Sequence, residues 1–225
     1  MIPPRETASI GPRSGNIRLW RCDPHRNGHP SRVSVQLVGA APGSAGLSAR
    51  LSPPYSAEQA AALANAAVAD TLHAVQTMTT TPGQPGWATV FRGLEQALAD
   101  TGRRYGPSLL IAMETPQLSP DLLAESTGAL RDYDAVLGPT TGDGWWAFGL
   151  QHPADSAMLG LFAHSLADTG SLTLATLRLG LRVAMLPTLQ EVRTGDDAHA
   201  VAGSCPPGSR FAATVARLTP DSRAS

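Results

Sequence analysis

Apolar residues along this chain fall into short runs separated by stretches rich in Gly, Pro, Ser and Thr. The first run, Val33 to Val38 (VSVQLV), has the length of a strand and ends in the small, turn-forming residues GAAPGSAG. After SPPYS, the segment from Ala57 to about Met78 is dense in helix formers, with Ser56 placed to cap it and Glu58 in its first turn. TTTPGQPG breaks that helix. Trp87 to about Thr101 then shows apolar residues at helical spacing, which predicts a second helix stopped by Gly102. Leu109 to Met113 (LLIAM) predicts a strand, and ETPQLSP turns the chain into a helix over Pro120 to Arg131. A strand begins at Ala135 to Leu137, GPTTGDG is a loop, and Trp145 to Leu150 (WWAFGL) is another strand. A helix over about Leu172 to Leu179, a strand over Leu181 to Leu186 and a short terminal helix in GSRFAATVARL complete the series. Strands alternating with helices specify an α/β layered domain with a largely parallel sheet.

Residues 1–31, rich in Pro, Gly, Arg and Asn without apolar period, read as a flexible leader, and residues 32–225 as a single domain. The leader holds Cys22, His25 and His29 at spacings reminiscent of zinc ligands. A structural zinc needs four, and no fourth stands nearby, so polar groups on a flexible arm are the preferred reading.

With 42% hydrophobic and 16% charged residues in 225, the chain has the material for one full-sized core. Its net charge of −1 offers no electrostatic footprint for nucleic acid or an anionic membrane. All seventeen basic residues are Arg, which excludes a lysine Schiff base or a phosphate-gripping lysine. No apolar window of transmembrane length and no signal-peptide core occur, so a cytoplasmic location with reduced Cys22 and Cys205 is expected.

In open α/β sheets, ligands gather at the carboxyl ends of the strands, which directs attention to the loops at 39–54, 114–119, 138–144 and 187–195. The first offers backbone N–H groups and Arg50 to a phosphate. Glu114 follows a buried strand, where a carboxylate can hold a hard divalent cation or simply face solvent. Trp145 and Trp146 occupy adjacent strand positions and so point to opposite faces, leaving at most one to line a cleft. His164, in FAHSLADTG, is a candidate for metal-free acid/base chemistry with Asp143 and Glu114, although a plain loop histidine is the simpler reading. Asp196 and Asp197 precede or cap a helix near Ala198. The small residues AAALANAAVAD suit close helix packing within the chain or a contact between the subunits of a homodimer.

Four separated segments, APGSAGLSARLSPPYSAEQAAAL, AMETPQLSPDLL, VLGPTTGDGWWAFGL and LRVAMLPTLQEVRTGDDA, resemble the bacterial glycosyltransferase-A-like transferases. Those proteins are similar to the molybdenum-cofactor guanylyltransferases and the phospholactate guanylyltransferases. The resemblance spans residues 33–217 and implies a three-layer nucleotide-diphospho-sugar transferase fold, with a nucleotide or nucleotide sugar over the carboxyl end of the first strand. It implies Gly43, Ser48, Arg50 and Trp145 as ligand-binding positions, Glu114 and Asp143 as catalytic positions, and Mg or Mn as the cofactor.

The motifs diverge from the family pattern. Where the family has Lys-Thr-Arg-Leu, this chain has Ser48, Ala49, Arg50 and Leu51; where an aspartate precedes Thr-Pro, Glu114 stands. Asp-Gly-Gly becomes Gly142, Asp143 and Gly144, and Asp-Val-Asp becomes Glu191, Val192 and Arg193. An arginine thus replaces the second aspartate of the last motif. The expectation is that Arg193 pairs with Glu114 in place of a divalent ion, with Asp143 or Glu191 joining. TTTPGQPG is also too short and polar for a strand with its loop, so the sheet is expected to be one strand short on that side. Three functions follow as alternatives: an active glycosyl or nucleotidyl transferase, a non-catalytic binding or regulatory relative, and a repurposed metal-independent enzyme.

Overall fold

The computed structural model describes residues 33–39, 46–52, 54–80, 88–104, 106–160 and 168–218. Six strands form one sheet: β1 (Ser34–Val38), β2 (Ala88–Phe91), β3 (Ser108–Ala112), β4 (Ala135–Pro139), β5 (Trp145–Leu150) and β6 (Val183–Met185). Their order is β2-β1-β3-β5-β4-β6. β5 runs antiparallel to both neighbours, β3 and β4, while the β1–β2, β1–β3 and β4–β6 pairs are parallel. This is the mainly parallel α/β sheet that the alternating pattern predicts.

Eight helices accompany it among the described residues: α1 (Leu47–Arg50), α2 (Ala57–Thr80), α3 (Leu94–Thr101), α4 (Pro120–Ala129), α5 (Pro153–Gly160), α6 (Thr169–Arg178), α7 (Gly195–Ser204) and α8 (Arg210–Leu218). Helix starts follow the capping chemistry of the sequence. Ser56 and Gln59 exchange side-chain to backbone bonds at the head of α2, and Ser119 accepts from Leu122 N–H before Pro120 opens α4. One face of the sheet packs Val35, Leu37, Leu109, Ile111 and Val136 against α2 and α4. The other packs Val38, Leu110, Leu137 and Phe148 against α3, α5 and α6. A third cluster joins Leu47 and Leu51, the first half of α2, Val192, α7 and α8. Ala60, Ala66 and Ala67 are buried there, so the small-residue run serves packing within the chain.

The strand expected to be missing beside the 79–86 loop is present, and the helix expected over Trp87 to Thr101 is divided. Ala88–Phe91 forms β2 at the sheet edge, in parallel register with Val35 to Val38, and the helix starts only at Leu94. Thr89, Val90 and Phe91 are β-branched or aromatic and favour the pleated surface, whereas Arg92-Gly93 separates them from the helix formers that follow. The apolar spacing fits a helix across the whole segment only because a short edge strand contributes so few positions to the pattern. Arg104 ties the edge down. Its guanidinium bonds the Asp100 carboxylate of α3, and also donates to Ser34 Oγ of β1 at 3.1 Å and Thr89 Oγ1 of β2 at 3.1 Å. The leader 1–31, with Cys22, His25 and His29, lies outside the described residues.

A bulge shapes the end of the sheet where β4 and β5 meet. Gly138 pairs with Ala147 but Pro139 with Trp145, so β5 carries an extra residue at this point. Trp146 consequently joins the α2/α4 core while Trp145 packs toward the opposite cluster. The Trp146 indole lies directly over Gly138: a Cβ there would stand 2.4 Å from Cε2. Its Nε1 donates to Pro187 O at 2.9 Å, satisfying the buried N–H. Gly138→Ala should therefore destabilise the protein by about 1–3 kcal/mol in urea unfolding, through overpacking against a fully buried ring. An unchanged midpoint would show that the ring has room to move.

Candidate functional site

Four elements bring their ends to one edge of the sheet. The carboxyl ends of β1, β3 and β4 and the start of antiparallel β5 meet the segment 189–192 that follows β6. Together they line a cavity of about 260 Å³ whose wall includes Gly39, Arg50, Glu114, Gln117, Trp145 and Glu191. Ligand sites in open α/β sheets occupy this position.

At its centre one guanidinium bridges two carboxylates. Arg50 Nη2 lies 3.1 Å from Glu114 Oε2, and Nη1 lies 3.2 Å from Glu191 Oε1. The three side chains are 22–30% exposed. The local fold explains each placement. Glu114 leaves the end of β3, and both its oxygens accept from Leu47 N–H, at 3.0 and 3.1 Å, so a distant carboxylate caps α1. Arg50 closes the same turn and folds back to that carboxylate. A helix of four residues cannot persist alone; burial of Leu47 and Leu51 and this double attachment to Glu114 hold it.

Glu191 arrives by a different route. Leu189 bridges Thr140 in parallel fashion and exchanges backbone bonds with Pro139 and Thr141. Glu191 N–H donates to Thr141 Oγ1, and Glu191 Oε2 accepts from Thr140 Oγ1 at 3.3 Å. Val192 turns into the third apolar cluster. Gln117 Nε2 donates to Gln190 O at 2.8 Å, and Asp197 gathers the same segment from the far side. Its Oδ2 accepts from Arg193 N–H, Thr194 N–H and Thr194 Oγ1, within a capping box that starts α7. Burial acts to raise the Asp197 carboxyl, but the bonds from Thr194, Arg193 and Gln190 outweigh it and hold the group below its usual value.

The expected pair of Arg193 and Glu114 does not form. Arg50 takes that role, and Glu191 rather than residue 193 presents the second charged group to it. Arg193 stands where the chain turns into α7; it is exposed and enters no ion pair among the described residues. Asp143, expected to contribute, is exposed on the 141–144 turn and is not part of the cavity wall. Ser48 is half-buried on α1, likewise off the wall. Both tryptophans line the cavity, where only one was expected, although they pack into opposite core clusters as their adjacent strand positions predict. Gly43 and His164 lie outside the described residues.

Residues 55–165 match the family model described as an uncharacterized protein conserved in bacteria (DUF2064). The matched part runs from the start of α2 through α5 and includes Glu114 and both tryptophans. Arg50 and Glu191 lie outside it. Among solved structures, a candidate nucleotide-diphospho-sugar transferase from Desulfovibrio desulfuricans G20 is similar at 17% identity and a TM-score of 0.59, over 82% of this chain and 97% of that one. The Mycobacterium sp. strain JC1 homologue of Mycobacterium tuberculosis Rv0371c has 16% identity and a TM-score of 0.46, over 84% and 100%. The 4-diphosphocytidyl-2C-methyl-D-erythritol synthase of Anaerococcus prevotii DSM 20548 has 10% identity and a TM-score of 0.45, over 83% and 98%. No curated protein matches. The Desulfovibrio protein shows the fold: this chain has the nucleotide-diphospho-sugar transferase architecture expected from its motifs. No helix among the described residues is long and apolar enough to cross a membrane.

The Mg or Mn that such a fold implies finds no suitable donor set here. A guanidinium stands between the two carboxylates, and no group of three His, Cys, Asp or Glu side chains converges among the described residues. The three charged groups sum to −1. Their chemistry suits holding and orienting a polar ligand through the N–H donors of Arg50 not given to carboxylates, together with neutral Gln117 and Thr140.

Asp197 supplies a direct test of how the Glu191 segment is held. A carboxylate with a lowered folded pKa stabilises the fold above its unfolded value, about 3.9, and loses that contribution as pH falls through the folded value. Asp197→Asn should therefore be less stable than the parent at neutral pH, with the difference shrinking on acidification in a series of urea unfolding curves. A difference independent of pH would place the effect elsewhere.

Proposed function

We propose that this chain is a glycosyl or nucleotidyl transferase of the glycosyltransferase-A-like class, which takes a nucleotide or nucleotide sugar into the cleft at the carboxyl ends of β1 and β3. The observation that carries this reading is the position of Arg50: a permanently charged, multi-donor side chain on the wall of a cavity at the ligand edge of a nucleotide-diphospho-sugar transferase fold. Two of its N–H groups are engaged by Glu114 and Glu191, and its buried Nε has no hydrogen-bond partner among the described residues. It therefore keeps donors for a phosphate oxygen while remaining anchored. Trp145, half-buried on the same wall, offers an aromatic surface for the rest of the ligand.

The two carboxylates together outweigh the guanidinium and leave the trio at −1, so affinity for a phosphate group should be low. This charge balance also favours a second reading, a non-catalytic relative that binds the ligand for regulation. Product formation from a nucleotide sugar or nucleoside triphosphate separates the two.

Thermal unfolding with a panel of nucleotide sugars and nucleoside triphosphates at low salt tests both. At millimolar concentration at least one should raise the midpoint by about 2–4 °C, and Arg50→Ala should abolish the shift. No shift across the panel, or one unaffected by Arg50→Ala, would remove the basis for this reading.

A further inference from the structure

The charge arrangement at Arg50 has the form of a cation site whose cation is covalently built in. Two carboxylates from opposite walls of the cavity, Glu114 at the end of β3 and Glu191 after β6, converge on one positive group. Thr140 adds a hydroxyl beside Glu191, and its Oγ1 lies 3.3 Å from Oε2. Hard oxygen donors of this kind suit divalent cations, yet the position is held by a planar guanidinium with one N–H for each carboxylate. Arg50 is also fixed in place: it belongs to α1, whose first N–H is capped by the same Glu114 and whose Leu47 is fully buried. No lysine or second arginine lines the cavity to share the load.

We propose that Arg50 is the resident cation of this site, occupying the place between Glu114 and Glu191 that a divalent ion would take. Replacing Arg50 with a neutral residue converts the two carboxylates into a divalent-cation site. The reason is electrostatic. Two partly buried carboxylates left without their counter-charge attract a cation, and the neighbouring hydroxyl favours a hard ion. The inference stands independently of which nucleotide the cleft accepts, because it concerns the protein and a metal alone. It makes ligand binding here insensitive to chelators.

The test is Mn²⁺ titration without nucleotide, read by loss of the free-ion electron paramagnetic resonance signal and by quenching of tryptophan fluorescence, since Trp145 lines the cavity. The parent protein and Arg50→Lys, which keeps a positive charge, should bind no Mn²⁺ at the site. Arg50→Met should bind one ion with a Kd at least tenfold below any value for the parent. Arg50→Met combined with Glu191→Gln should lose that gain. Should Arg50→Met fold poorly, addition of Mn²⁺ should restore its cooperative thermal transition. The proposal is overturned by tight Mn²⁺ binding to the parent that Arg50→Met leaves unchanged. It is equally overturned by a folded Arg50→Met that binds no better than the parent, or by one that stays unfolded when Mn²⁺ is present.

Discussion

One guanidinium between two glutamates organises the ligand edge of this protein. Glu114 at the end of β3 also holds the short helix α1 through the Leu47 N–H, and Glu191 lies in the segment after β6. The Arg50 bridge joins all three at the cavity wall. The interaction is partly solvated, so its worth to overall stability is modest. Its value to the site is geometric. It sets the separation of the carboxylates, fixes the start of α1 against β3, and leaves further N–H donors available.

Much of the fold is legible in the sequence because burial is written as apolar runs. β1, β3, β4 and β5 appear almost residue for residue, and the heads of α2 and α4 are marked by Ser56 and by Ser119-Pro120. β2 is not legible in the same way. Its four residues are too few to break the helical spacing that runs from Trp87 into α3, and only Thr89-Val90-Phe91 followed by Arg92-Gly93 speaks against a continuous helix. α5 is also missed, since PADSAMLG between Gln151 and the next segment carries no strong apolar period.

The site is legible in its parts but not in its pairing. Family motifs point to Arg50, Glu114 and Trp145, and the structure places all three on one cavity wall. Which cation meets Glu114 depends on register in the segment 189–193, and motif position cannot supply it. There the backbone hydrogen bonds of Leu189 and the burial of Val192 direct Glu191 inward, while Arg193 is drawn into the capping box of Asp197 and left exposed. A one-residue bulge in β5 has a comparable effect on the tryptophans: it exchanges the faces that strict alternation from Ala147 to Leu150 would give them, and both still line the cavity. Both departures arise from local backbone irregularity, where periodicity ceases to predict direction.

Fold and chemistry are therefore separable in this chain. The layered sheet and its ligand edge are those of the fold, while the carboxylates of Glu114 and Glu191 at that edge hold Arg50. The account rests on the bridge being a real interaction rather than mere proximity, and a double-mutant cycle measures that directly. Urea unfolding of the parent, Arg50→Met, Glu191→Gln and the double variant should give a coupling energy of about 1 kcal/mol, as suits a partly exposed pair. A coupling indistinguishable from zero would contradict the account.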